Sequence, residues 1–150
     1  MQNAARWCNA IVKELEASVG VEVAGGILQA CGRDCAHMSG ITDRLTARDA
    51  HSIDELYACL HSIIPDLVEP GRGELYVTYP RCFCALVEER LSLTPPLHCE
   101  CSVGWIKEVC AATCPVPVEV ELLQSVIRGA DSCRFRVRML ASNERTGESP

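Results

Sequence analysis

No run in the 150-residue sequence approaches the ~20 consecutive apolar residues that a membrane-spanning helix needs. The amino terminus, MQNAARWCNA, has neither the basic start nor the apolar stretch of a secretory signal. Both absences lead to the expectation of a cytoplasmic chain with no membrane partner. Excess positive charge is missing as well: 14 Lys and Arg stand against 20 Asp and Glu, giving a net charge of -6 and a pI near 5.2. Nucleic-acid binders usually carry a basic stripe that neutralises phosphates, so this composition argues against such a partner. A glycine-rich phosphate loop, a GxSxG elbow and an HExxH helix are also absent. There is no internal repeat and no low-complexity segment.

What remains is the composition of a globular protein, with 48% hydrophobic residues and 23% charged residues of mixed sign. A chain of this length buries roughly two thirds of the surface its unfolded form exposes and folds without covalent staples. One domain is expected over 1–142, followed by a frayed tail over 143–150.

Hydrophobic periodicity supplies the elements. Ala5, Cys8, Ile11, Val12, Leu15 and Val19 fall at helical spacing up to Gly20, and a second helical run follows to about His37 with Val23, Ile27, Leu28 and Cys31. Gly25 and Gly26 weaken that second helix but permit close packing. Residues 39–49 read as a polar connection. Ser52-Ile53-Asp54-Glu55 has the form of a capping box, ahead of a helix with Leu56, Tyr57, Leu60 and Ile64 on one face and a stop at Pro65. Residues 74–79 read as a strand, and residues 82–88 as an extended continuation. A helix follows from Ser102, with Trp105 as core packing. Val116 to Leu122 and Cys133 to Met139 alternate with period two around the turn residues Arg128 to Ser132, which predicts an antiparallel hairpin. Arg134, Arg136 and Arg138 then share one face, where Glu119 and Glu121 would pair with them.

The 11 cysteines are the anomaly. An odd count leaves at least one thiol outside any set of internal disulfides, and a reducing cytosol opposes such a set. Metal binding or redox chemistry explains them better. Cys31 and Cys35, four apart on a helix, share a face. Cys82 and Cys84, two apart in an extended segment, share a face as well, as do Cys99 and Cys101. Cys82, Cys84, Cys99 and Cys101 are therefore the candidate ligands for zinc or an iron-sulfur cluster, with Cys31 and Cys35 as a surrounding or exchangeable pair. Placement of Cys99 and Cys101 at a helix start predicts a lowered thiol pKa. The single residue inside each Cys-x-Cys departs from zinc-finger and ferredoxin spacing. Cys8, Cys59, Cys110, Cys114 and Cys133 fall at core-facing positions and read as small buried hydrophobes.

The histidines carry weaker expectations. His98 reads as an exposed loop residue, with an alternative role as ligand or proton carrier; His37 lies close enough to Cys35 to join that pair. His51 falls in a cap region, His61 at a solvated helix position. Glu100 is a candidate base that more often would face water.

The run CECSVGWIKEVC, the run PVEVELLQSVIRGADSCRFRV, and the elements YPRCFC and CGRDCA resemble a cysteine-rich branch of the 4-vinyl reductase domain superfamily, best over 74–140. That resemblance implies an α+β fold with helices packed on an antiparallel sheet, binding of a small ligand or metal, and a homodimer. GADSCRFR is also similar to the L-2-amino-thiazoline-4-carboxylic acid hydrolase family, from whose motif the Cys-x-Cys pairs depart. The leading expectation is a metal-binding or redox-sensing domain. A cysteine-dependent hydrolase is the first alternative, with Cys99 or Cys101 as nucleophile and His98 or Glu100 moving protons. A small-ligand sensor with structural cysteines is the second.

Overall fold

A computed structural model describes residues 2–87 and 91–140; the tail over 143–150 and the domain limit at 142 lie outside them. Helix α1 (Gln2–Met38) holds both helical runs, separated at Gly20, whose φ of 82° and ψ of 165° only glycine adopts without strain. Helix α2 (Ile41–Leu45), a short helix inside the polar connection, follows a left-handed Gly40. Helix α3 (Ile53–His61) leads into a 3-10 turn at Pro65–Leu67 and strand β1 (Val68–Pro70). Strand β2 (Leu75–Tyr79) comes next, then two 3-10 turns at Leu91–Leu93 and Pro96–Cys99 and helix α4 (Glu100–Ala111). Strands β3 (Val118–Gln124) and β4 (Cys133–Met139) close the fold.

The sheet is antiparallel in the order β1-β2-β4-β3. Its alternation buries one face: Leu75, Val77 and Tyr79 of β2, Phe135 and Val137 of β4, and Val120 of β3. Leu56 and Leu60 of α3, Leu45 of α2, and Val103, Ile106 and Val109 of α4 cover that face and form the core. The fold is thus α+β with helices on an antiparallel sheet, as expected. Charges line the other face. Arg136 pairs with Glu121, Arg138 with Glu74 at 3.0 Å, and Arg134 with Glu69 at 3.3 Å, while Arg134 also lies over the Tyr76 ring. The hydroxyl of Tyr76 and the guanidinium of Arg138 hold the Glu74 carboxyl below its usual range.

Helix α1 rests on α4 rather than on the sheet. Its buried positions are Ala5, Asn9 and Val12, then Ala24, Gly25, Leu28, Gly32 and Ala36. Ile11, Val19, Val23 and Ile27 are exposed, contrary to the sequence reading, because small residues face α4 and the larger apolar ones are turned away. Close approach decides the face here. A Cβ on Gly32 would meet the Cys101 carbonyl oxygen at 1.9 Å, and one on Gly104 would meet the Gln29 carbonyl oxygen at 2.0 Å.

The start of α3 matches its motif. The Glu55 amide donates to the Ser52 hydroxyl at 3.2 Å, and the Glu55 carboxylate turns back to accept from the His51 amide at 2.6 Å. Ser52→Ala should lower unfolding free energy by about 1 kcal/mol, read from urea denaturation; an unchanged midpoint would mean that the cap contributes nothing.

Candidate functional site

A cavity of about 690 Å³ opens between the end of the sheet, the start of α4 and the loop after β2. Tyr79 and Phe135 form its floor, with ring centroids 5.5 Å apart. Trp105 projects from the first turns of α4 and meets Tyr79 edge-on at 6.5 Å, so it is cavity wall as well as packing. Phe83 and Leu86 of the loop cover one side, and Ile41 and Arg44 of α2 border another. A mostly apolar enclosure of this size suits a small organic molecule.

Residues 81–84 form a loop and 85–87 a turn, so the extended segment expected over 82–88 does not form over its described part. The regular alternation of faces that a strand would impose on Cys82 and Cys84 is therefore absent. Cys82 is within electrostatic reach of Cys84, Cys133 and Cys99, and Cys84 of Cys35. Cys101 is within electrostatic reach of Cys35, Cys84 and Cys31. Among the described residues no three His, Cys, Asp or Glu side chains stand in a ready-made ligand arrangement.

Burial also reverses the expected reactivity at the start of α4. It pushes the Cys99 thiol up, partly offset by a hydrogen bond from Ser125, and pushes Cys101 up to about 12. Loss of water outweighs the helix end, so both remain protonated at neutral pH. Cys82 and Cys84 are raised for the same reason. Cys110, Cys114 and Cys133 are buried, as the small-hydrophobe reading requires; Cys8 and Cys59 are half-buried.

His98 is the largest departure from the sequence reading. It is 6% exposed rather than a solvated loop residue, because the 3-10 turn at Pro96–Cys99 folds it inward. Neither ring nitrogen has a hydrogen-bond partner among the described residues, and the side chain lines the cavity. Burial lowers its pKa, which keeps the ring neutral and able to donate from one nitrogen and accept at the other. Glu100, by contrast, accepts from Gln29 at 2.7 Å across the α1–α4 contact and does not line the cavity. His37 bonds Glu108 at 2.8 Å instead of joining Cys35.

The architecture is that of an α+β domain with a pocket at one end of its sheet. The chain belongs to the Family of unknown function (DUF6144), whose model matches residues 1–144. In structure it is similar to the crystal structure of the phenol-responsive sensory domain of the transcription activator PoxR with phenol. That likeness has a TM-score of 0.56 at 17% identity and covers 91% of this chain and 74% of that one. At such identity the shared property is the fold. No curated protein matches the chain in sequence. These findings assign a family and a fold; they do not bear on the 4-vinyl reductase or thiazoline hydrolase resemblances in particular. Among the described residues no helix is long and apolar enough to cross a membrane.

Proposed function

We propose that this chain is a ligand-binding sensory domain whose ligand is a small, largely apolar molecule carrying one hydroxyl or similar polar group. The observation that carries the reading is His98: a buried ring with both nitrogens unpartnered on the wall of a 690 Å³ apolar cavity. A buried polar group without a partner costs about 1–3 kcal/mol, and a ligand that supplies the partner recovers it. The fold shared with a phenol-responsive sensory domain supports the same reading. Burial raises the Cys99 and Cys101 thiols, which disfavours the thiolate that the hydrolase alternative would use as nucleophile.

Trp105 offers the test. Trp7 is 71% exposed and far in sequence from the cavity wall, so Trp7→Phe leaves Trp105 as the single indole reporter. Titration with phenol should give a saturable change in its fluorescence, and His98→Ala should weaken binding about tenfold, the equivalent of one hydrogen bond. A linear, unsaturable response with phenol and with larger aromatic alcohols alike would remove the proposal.

A further inference from the structure

Among the described residues the cavity wall holds one charged side chain, Arg44. No Asp or Glu of the described residues joins it there, although the whole chain has a net charge of -6. Arg44 stands on α2, where Ile41, Thr42 and Leu45 are buried. Ile41 lies one turn before it and lines the same cavity, and residues three apart share a helix face, so the anchoring of Ile41 sets Arg44 on the cavity side. Thr42 helps to hold the helix in place through a bond of its hydroxyl to His37 Nδ1 at 3.3 Å.

The guanidinium of Arg44 makes no ion pair with any described residue, whereas Arg134, Arg136 and Arg138 on the sheet each meet a carboxylate. Together with His98 it gives the wall two polar anchors at different depths: a neutral ring, 6% exposed, and a cation exposed at the mouth. Aromatic side chains make up much of the remaining wall, Tyr79, Trp105 and Phe135 foremost. A guanidinium takes a carboxylate through two parallel N–H···O bonds, and the pairing strengthens where part of the surrounding water is displaced. Phosphates are commonly cradled by a glycine-rich loop and a helix start, and one isolated guanidinium suits a monoanion better.

We infer that the ligand is an aromatic carboxylic acid in its ionised form, its ring among Tyr79, Trp105 and Phe135 and its carboxylate on Arg44 at the cavity mouth. The inference rests on the ligand-binding reading above and narrows it, since beside the group that meets His98 the molecule carries an acid. Arg44 is then the residue that separates such acids from neutral compounds of the same shape.

The test is calorimetric titration of the reduced, full-length chain with phenol, with para-hydroxyphenylacetate and with the methyl ester of that acid. The ester keeps the ring and the hydroxyl and loses the charge. The acid should bind about tenfold more tightly than the ester, the equivalent of one charge-assisted hydrogen bond, and added sodium chloride should shrink the ratio. Arg44→Gln should bring the acid to the affinity of the ester, and Arg44→Lys, charged but without the planar fork, should keep part of the preference. Arg44 is exposed, so both variants should unfold at the urea midpoint of the parent, and a lost preference then reports the contact rather than the fold. Equal affinities of acid and ester in the parent chain overturn the inference, while saturable binding of phenol or the ester leaves the ligand-binding reading in place. A preference for the acid that survives in Arg44→Gln overturns it as well, because the anion is then held elsewhere. If none of the three compounds saturates, the reading and the inference fall together.

Discussion

Gly32→Ala and Gly104→Ala are each expected to destabilise the protein by about 3 kcal/mol, the upper part of the range for overpacking. Both glycines press on the backbone of the opposite helix: Gly32 on Cys101 and Trp105, Gly104 on Gln29, where an added Cβ would stand 2.0 Å from the carbonyl oxygen and 2.5 Å from Cα. A flexible side chain could yield to such a contact; two helix backbones cannot without separating. The sign is informative because alanine is favoured over glycine inside a helix by up to ~1 kcal/mol. Gly26→Ala supplies the comparison, since nothing lies within 4 Å of a Cβ there, and it should leave stability equal or raised. Urea denaturation of the three variants decides the matter. Equal midpoints for Gly26→Ala and Gly32→Ala would mean that α1 and α4 do not cross as described.

Phe135→Ala should cost about 3–5 kcal/mol, the sum of lost transfer energy and the void left behind. Phe135 is 1% exposed, pairs across the sheet with Val77 and Leu122, and packs its ring on Tyr79 beneath the cavity. Truncation would join the new void to the existing cavity, so stability should fall while the room for a ligand grows. A larger aromatic alcohol should then restore part of the lost thermal stability to the variant, more than it adds to the parent chain. Thermal denaturation with and without that compound provides the measurement, and a variant that melts like the parent would show that the floor is not packed as described.

These expectations rest on features that differ in how far the sequence discloses them. The β3–β4 hairpin could be read because period-two alternation survives wherever a sheet buries one face, and Cys133, Phe135 and Val137 against three arginines is such a pattern. Ser52 and Glu55 were legible because a capping box is local. The break at Gly20 was legible for the same reason. Strand β1 was not: Val68–Pro70 is too short for a period, and its pairing with β2 supplies the order. The buried face of α1 escaped hydropathy because it is built of glycine and alanine, whose role depends on how near another helix comes.

The thiols illustrate the same limit. Sharing a face at positions two apart presupposes an extended backbone, and the loop at 81–84 breaks that premise. How the thiols of α1 and α4 stand to one another depends instead on the crossing of these helices, a contact between segments about seventy positions apart. The burial of His98 is equally non-local, since no pattern within Pro95-Pro96-Leu97-His98 specifies an inward turn. A histidine beside two prolines and two cysteines was the available signal, and it did not distinguish inside from outside.

The order of the sheet also bears on how the molecule avoids its own kind. One border is β1, three residues long and ending at Pro70, which offers little backbone for another strand to zip onto. The opposite border, β3, is longer, but Glu119 and Glu121 project from its exposed positions and an irregularity between Leu122 and Gln124 interrupts its ladder. Two such borders brought side by side would set carboxylates against carboxylates and mismatch their hydrogen bonds. A crowded solution of this protein is thereby steered away from fibrous self-association by the same strand that completes its sheet.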